Sequence, residues 1–226
     1  MRFLIVAATD MEVVPLSEAL GAATERLPRT RAFRYASHDI DLLTTGVGMV
    51  ATAAWCSRAL AAKRYDAALN VGVCGTFDPS IALGTVVRVA SDQLAELGAE
   101  DDATFKTAQE LKLVALDEFP YTAGRLVSTS WPQCKALSAL PAVDGITVNT
   151  VHGNEVSIAA VVERWHPQVE SMEGAAFIYA CLIGATPHAQ IRAVSNPVER
   201  RNRSAWRLED AIRNMTRTTL AILNEL

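Results

Sequence analysis

The chain has 226 residues, of which 50% are hydrophobic, a formal net charge of -4 and four cysteines. This length suits one well-buried α/β core and is short for two, so a single domain over 1–226 is expected. No apolar run approaches the ~18 residues that would cross a bilayer, and the N-terminus enters a strand pattern with no secretory signal. The charge pattern carries no electrostatic footprint for nucleic acid, Arg200-Arg201-Asn202-Arg203 being a local exception. Cys56, Cys74, Cys134 and Cys181 are scattered, with no C-x-x-C pair and no histidine at metal-ligand spacing, and read as reduced core residues. The expectation is a cytoplasmic protein that handles a small molecule, with neither membrane nor nucleic acid as partner.

In chain order, β-branched or alternating segments predict strands at 2–8, 31–37, 39–44, 67–71, 85–90, 146–151, 168–171 and 188–195. Between them, apolar residues recurring three or four apart predict helices over 49–63, 155–165, 173–183 and 204–226. Interleaving of this kind builds a mixed, largely parallel sheet covered by helices on both faces, because parallel neighbours need a crossover and the crossover is usually a helix. The stretch 94–120, with its acidic Glu100-Asp101-Asp102 cluster and weak periodicity, reads as an insertion or flap beside the sheet.

Acidic and amide side chains gather where strands end, which is where open sheets form their binding crevice. Thr9-Asp10-Met11-Glu12 follows the first strand, Ser171-Met172-Glu173 closes a late one, and Asn196-Pro197 follows the last. Thr9 and Glu12 fit a capping box, while Glu12 can equally orient and deprotonate a water. Both roles hold together only if capping leaves one oxygen free. Glu173 at a helix start is favoured by the helix dipole. In its apolar setting a buried carboxylate would otherwise need a partner, and the adjacent hydroxyls of a ribose would satisfy it. Arg192, inside an apolar strand, needs an anionic or strongly accepting partner, either a structural acid such as Asp66 or a ligand. Asn196 before Pro197 is by itself a turn former. Gly46-Val47-Gly48 and Gly72-Val73-Cys74-Gly75 let backbone approach a phosphate or sugar, but neither completes G-x-G-x-x-G and no Walker lysine occurs. His152 and His188 read as structural, and no Ser, His and Asp set stands at nucleophile-elbow spacing.

Taken together, the runs 70–75 (Asn-Val-Gly-Val-Cys-Gly), 169–175 (Val-Glu-Ser-Met-Glu-Gly-Ala) and 192–196 (Arg-Ala-Val-Ser-Asn) resemble the purine nucleoside phosphorylase and nucleosidase superfamily in order and spacing. Within it, the segments 91–101, 148–151, 171–176 and 201–206 are similar to the futalosine hydrolases. The resemblance implies a three-layer α/β/α fold, no metal or organic cofactor, and a homo-oligomer built from dimers. It implies hydrolysis of the N-glycosidic bond of futalosine to hypoxanthine and dehypoxanthine futalosine, in menaquinone biosynthesis. A phosphate-dependent 6-oxopurine nucleoside phosphorylase and a nucleoside-binding sensor without turnover are the alternatives.

By position, the resemblance implies that Glu12 activates the water, with Arg192 near it. Glu173 would accept the ribose hydroxyls, Met172 would pack on the sugar, and Gly48, Gly75 and Val151 would line the substrate. Asn196 falls where related methylthioadenosine nucleosidases keep an aspartate. A carboxylate would repel the C6 carbonyl of hypoxanthine, whereas an amide donates to O6 and accepts from a protonated N7, so a 6-oxopurine base is expected. The hydroxyl that relatives often place at the position of Val73 is absent, and no clear set of arginines fills phosphate positions, which favours water as nucleophile. Arg200, Arg201 and Arg203 are the candidates for seating the substrate's benzoate.

Overall fold

A computed structural model describes residues 1–102, 104–128 and 130–226. Along the chain run β1 (Arg2–Ala7), α1 (Asp10–Leu20), β2 (Glu25–Leu27), β3 (Thr30–Tyr35), β4 (His38–Thr44), α2 (Met49–Ala62), β5 (Ala67–Thr76) and β6 (Val86–Asp92). There follow β7 (Gly98–Asp101), β8 (Thr104–Thr107), β9 (Leu126–Val127), α3 (Lys135–Ser138), β10 (Ala142–Thr147), α4 (Glu155–Trp165), β11 (Val169–Ser171), α5 (Gly174–Ile183), β12 (His188–Pro197) and α6 (Leu208–Glu225).

The large sheet runs β11-β10-β6-β12-β5-β1-β4-β3-β2, with β9 beside β6. Its middle strands β4, β1, β5 and β12 are parallel, while β3 and β6 flank them antiparallel. Helix α2 joins the parallel β4 and β5 and α4 the parallel β10 and β11, whereas α5 links β11 to β12, which run in opposite directions. Strand β1 shows why two helical layers are needed, because successive side chains point to opposite faces. Phe3, Ile5 and Ala7 pack with Val13 and Leu16 of α1 and Met215 and Ile222 of α6. Leu4 and Val6 pack instead with Cys56 of α2 and with Phe177, Ile178 and Cys181 of α5. Each such aliphatic side chain, fully buried, contributes roughly 1.5–3 kcal/mol. α6 is one-sided, burying Ala211, Ile212, Met215, Thr219, Ile222 and Leu223 at three- and four-residue spacing. All four cysteines are free and buried. Among the described residues no helix is long and apolar enough to cross a membrane.

Several boundaries differ from the sequence expectation. The strand expected over 146–151 lies at Ala142–Thr147, because it is defined by pairing with β6 from Ala142 and with β11 up to Thr147↔Ser171. Residues 148–151 then leave the sheet toward α4, whose N-cap Asn154 accepts from the backbone N–H of Val156 and Ser157. β5 and β12 run longer than expected, held together in parallel register from His188↔Ala68 to Pro197↔Thr76. α6 starts at Leu208 rather than 204, after a short 3-10 turn over Arg203–Ala205. In the stretch 94–120 the described residues include a separate hairpin of β7 and β8; Ala103 lies outside them.

Candidate active site

The site is built at the carboxyl ends of β1, β5, β11 and β12. After β1, Thr9 adopts an extended backbone and caps α1. Its N–H and hydroxyl donate to Oε2 of Glu12 at 2.9 and 2.8 Å. The other oxygen, Oε1, accepts from the backbone N–H of Val73 on β5 at 3.1 Å. One oxygen thus serves the helix start and the other reaches a strand end. The backbone at residue 73 is in contact with the catalytic candidate even though its side chain offers no hydroxyl.

Arg192 on β12 stands opposite Gly72 on β5. Its side chain is 1% exposed, with Nη2 donating to Asn70 Oδ1 at 2.5 Å and Nη1 lying 3.7 Å from Glu173 Oε2. Asp66, the structural acid considered as a partner, accepts instead from the backbone N–H of Arg2. A Cβ at residue 72 would fall well inside contact distance of Nη1 and 3.0 Å from Glu12 Oε1, so the approach of arginine and acid over β5 requires glycine there. Glu173 occupies the N-cap position of α5, and its Oε1 accepts from the N–H of Gly48 at 3.1 Å. Burial pushes the Glu173 carboxyl above its ordinary 4.5; Arg192 opposes that shift and the nearby charge of Glu12 adds to it. Met172, half-buried, sits between β11 and this cap.

Three residues along β5 from Gly72 stands Gly75. β12 brings Asn196 to one side of it and β11 brings Glu170 to the other. A cavity of about 120 Å³ is lined there by Gly75, Val151, His152, Glu170, Asn196 and Trp206 among others. Asn196 Oδ1 accepts from Ser195 Oγ at 2.8 Å, and Nδ2 donates to the carbonyl of Pro197 at 2.9 Å. Each end of the amide keeps one further hydrogen-bonding position. Larger cavities, of about 490 and 540 Å³, are lined by Trp131 and His188 in one case and Phe105 and Arg164 in the other; neither touches Glu12, Glu173, Arg192 or Asn196. Size therefore does not mark this site, and convergence of charge does.

The structure thus gathers Glu12, Arg192, Glu173 and Gly48 into one cluster, and Gly75, Val151 and Asn196 into a cavity further along β5. Of the basic cluster, Arg201 lines the Asn196 cavity and lies with Arg203 over the Trp206 ring, while Arg200 lines a groove along α4. Asn70, Glu170 and Asp92 carried no site role in the sequence analysis, and His152 only a structural one. Asn70 holds Arg192. His152, read as a structural histidine, joins Glu170, whose two oxygens take its backbone N–H, at 3.0 Å, and its ring Nδ1. The available signal was an acid inside the apolar run 169–171, the same cue that singled out Glu173. Beneath the cluster lies buried Asp92, accepting from Thr147 Oγ1, Gln190 Nε2 and the N–H of Gln93, with its carboxyl pushed up by burial. Residue 174 packs so closely on Asp92 and Gln190 that no Cβ fits, which accounts for glycine after Glu173.

The profile of the phosphorylase superfamily matches residues 2–226. A futalosine hydrolase of Streptomyces coelicolor is 31% identical over 224 residues, spanning 96% of this chain and 92% of its own. One of Thermus thermophilus is 30% identical over 186 residues, spanning 81% and 80%. Among solved structures, the native futalosine hydrolase of Helicobacter pylori shares the fold with a TM-score of 0.82 at 16% identity, over 100% of this chain and 98% of its own. The 5'-methylthioadenosine/S-adenosylhomocysteine nucleosidase of Colwellia psychrerythraea, in complex with adenine, shares it at 0.81 and 22% identity, over 100% and 96%. With the profile spanning nearly the whole chain and relatives at 30–31% identity over most of it, the chain belongs to the phosphorylase superfamily and, within it, to the futalosine hydrolase family.

Proposed function

We propose that this protein is an N-glycosyl hydrolase that cleaves futalosine to hypoxanthine and dehypoxanthine futalosine, the reaction implied by its family. The observation that carries the reading is the cluster of Glu12 and Glu173 around Arg192 at the strand ends. Departure of a purine leaves an oxocarbenium-like sugar with positive charge at C1′. Glu173 anchors the 2′ and 3′ hydroxyls, since a carboxylate accepts from both at once. Glu12, with Oε2 occupied by the cap, uses Oε1 to take a proton from the attacking water, while Arg192 orients that water. Asn196 spends its free N–H on O6 and its free lone pair on a protonated N7. General-base and electrostatic contributions of this kind are each worth on the order of 10² to 10⁴ in rate.

Water is favoured over phosphate by charge. Two buried carboxylates face one guanidinium, and Glu12 Oε1 already takes the Val73 N–H that could otherwise hold an anion. A phosphate dianion entering that space meets net negative charge in a low-dielectric setting. The test is to incubate the protein with futalosine, with and without phosphate, and to separate the products chromatographically. Hypoxanthine released at the same rate in both supports hydrolysis; phosphate-dependent release with a sugar 1-phosphate overturns it.

In the same reading 1–226 forms one nucleoside phosphorylase-like domain, acting in the cytoplasm on a small nucleoside without a metal or organic cofactor. It assembles as a homo-oligomer of dimers. Val47 and Val50, beside the Gly48 that contacts Glu173, are 57% and 83% exposed, an apolar rim that a neighbouring subunit would cover. A monomer in sedimentation velocity would remove the oligomer from this account.

A further inference from the structure

The reaction described above leaves one buried polar pair unused, Glu170 with His152. Glu170 and Asn196 flank Gly75 on opposite sides. With strands spaced ~4.8 Å, their backbones stand on the order of 10 Å apart, and both residues line one cavity together with His152. The Glu170 side chain is 3% exposed and that of His152 is 14% exposed. Both carboxylate oxygens are occupied by His152, one by its backbone N–H and one by ring Nδ1. A carboxylate only accepts, so Nδ1 carries a proton. Among the described residues none hydrogen-bonds Nε2, and the ring lines the cavity that holds Asn196. In the uncharged ring with Nδ1 protonated, Nε2 is an acceptor.

A 6-oxopurine carries an N1–H beside its C6 carbonyl; a 6-aminopurine carries a lone pair at N1. We propose that His152, clamped through Nδ1 by Glu170, selects a 6-oxopurine base by accepting its N1–H, so that the base is recognised on both flanks of C6. The inference rests on the nucleosidase reading and deepens it: Asn196 serves the O6 and N7 flank, and His152 serves the N1 flank. A 6-aminopurine in the same pose sets its N1 lone pair against that of Nε2. Glu170 is a positioning residue that dictates the tautomer. Glu199 and Arg201 line the same cavity, while Glu96, Glu100, Asp102 and Arg164 line the one on the ring's other side.

The test is calorimetric titration of the wild-type protein, His152→Leu and Glu170→Gln with hypoxanthine and with adenine. Hypoxanthine affinity is expected to fall about tenfold or more in each variant, with adenine changing far less, as for one mismatched buried polar contact. In Glu170→Gln the amide can donate to Nδ1, so nitrogen-15 shifts of the ring should report a move of the proton to Nε2. Equal losses for both bases and an unchanged hypoxanthine affinity each overturn the proposal. Should His152→Leu fail to fold, the ring signals and base preference of Glu170→Gln decide alone. Base binding is read without turnover, so a wild-type protein that discriminates the bases through His152 yet leaves futalosine intact sinks the reaction and not this inference. Normal futalosine hydrolysis with unaltered base preference in the variants does the reverse.

Discussion

Arg192→Gln isolates the physics of the site, because it removes a buried cation from two carboxylates without opening a large cavity. The guanidinium lies 3.7 Å from Glu173, with the two side chains 1% and 7% exposed. At an effective dielectric of about 20 that separation corresponds to roughly 4.5 kcal/mol of attraction. Stripping one partner from a buried pair typically destabilises by about 3–5 kcal/mol. In a chain of 226 residues, where each kcal/mol moves the midpoint by roughly 2–4 °C, the melting temperature should drop by about 6–20 °C. The loss should also depend on pH. Glu173 in the fold binds its proton more readily than its ordinary 4.5 allows, so its contribution is most favourable below that value and is lost as pH rises through the raised folded value. Arg192 opposes the shift, hence the variant should be hurt most at neutral pH and least near the acid end of the window. Thermal melts followed by circular dichroism at both ends measure this, and Arg192→Gln/Glu173→Gln should recover most of the stability while remaining inactive. A melting temperature within about 2 °C of wild type at neutral pH, or a loss independent of pH, would refute the reasoning.

Three further outcomes follow from the same geometry. Asn196→Asp should lower hydrolysis of futalosine by about 10² or more while improving relative use of the 6-amino analogue, since a carboxylate repels O6; competition between the two nucleosides, followed by chromatography, checks it. Glu12→Gln should leave substrate binding largely intact and cut turnover by about 10² to 10⁴, the amide oxygen still accepting from Thr9 but no longer able to take a proton; surviving turnover in single-turnover kinetics would confine Glu12 to its cap. Gly72→Ala should lose both activity and stability, by about 1–3 kcal/mol or more in chemical denaturation, because its Cβ displaces Arg192 from Asn70 and Glu173. A stable, active alanine variant would place Arg192 elsewhere.

Much of the fold was legible because β1, β4 and β5 alternate or run apolar and because α2 and α4 carry clean three- and four-residue spacing. The boundaries that moved are those set by a partner strand. Residues 146–151 look like a strand throughout, yet the neighbours of β10 end at Thr147. Of the candidate site, Glu12 and Glu173 were visible as acids at strand ends, and the capping box of Thr9 was visible with them. Whether capping consumed Glu12 could not be read, since the answer lay in a hydrogen bond from Val73, 61 residues away. His152 looked ordinary because its partner Glu170 is 18 residues on, across a helix, and nothing local relates the two.

Local pattern alone determined the type of most of the long strands and helices and the presence of acids and amides where strands stop, because these depend on periodicity and on the conformational preferences of neighbouring residues; it did not mark out α1 (Asp10–Leu20) as a helix. Tertiary structure decided which of those groups share a space. β11 folds back onto β5 to set Glu170 beside Gly75, β12 lays Arg192 over Gly72, and a helix cap turns Glu173 toward both Arg192 and Gly48. These distances arise from strand order and register, quantities fixed by packing the whole sheet between its helices, and no short stretch of residues encodes them.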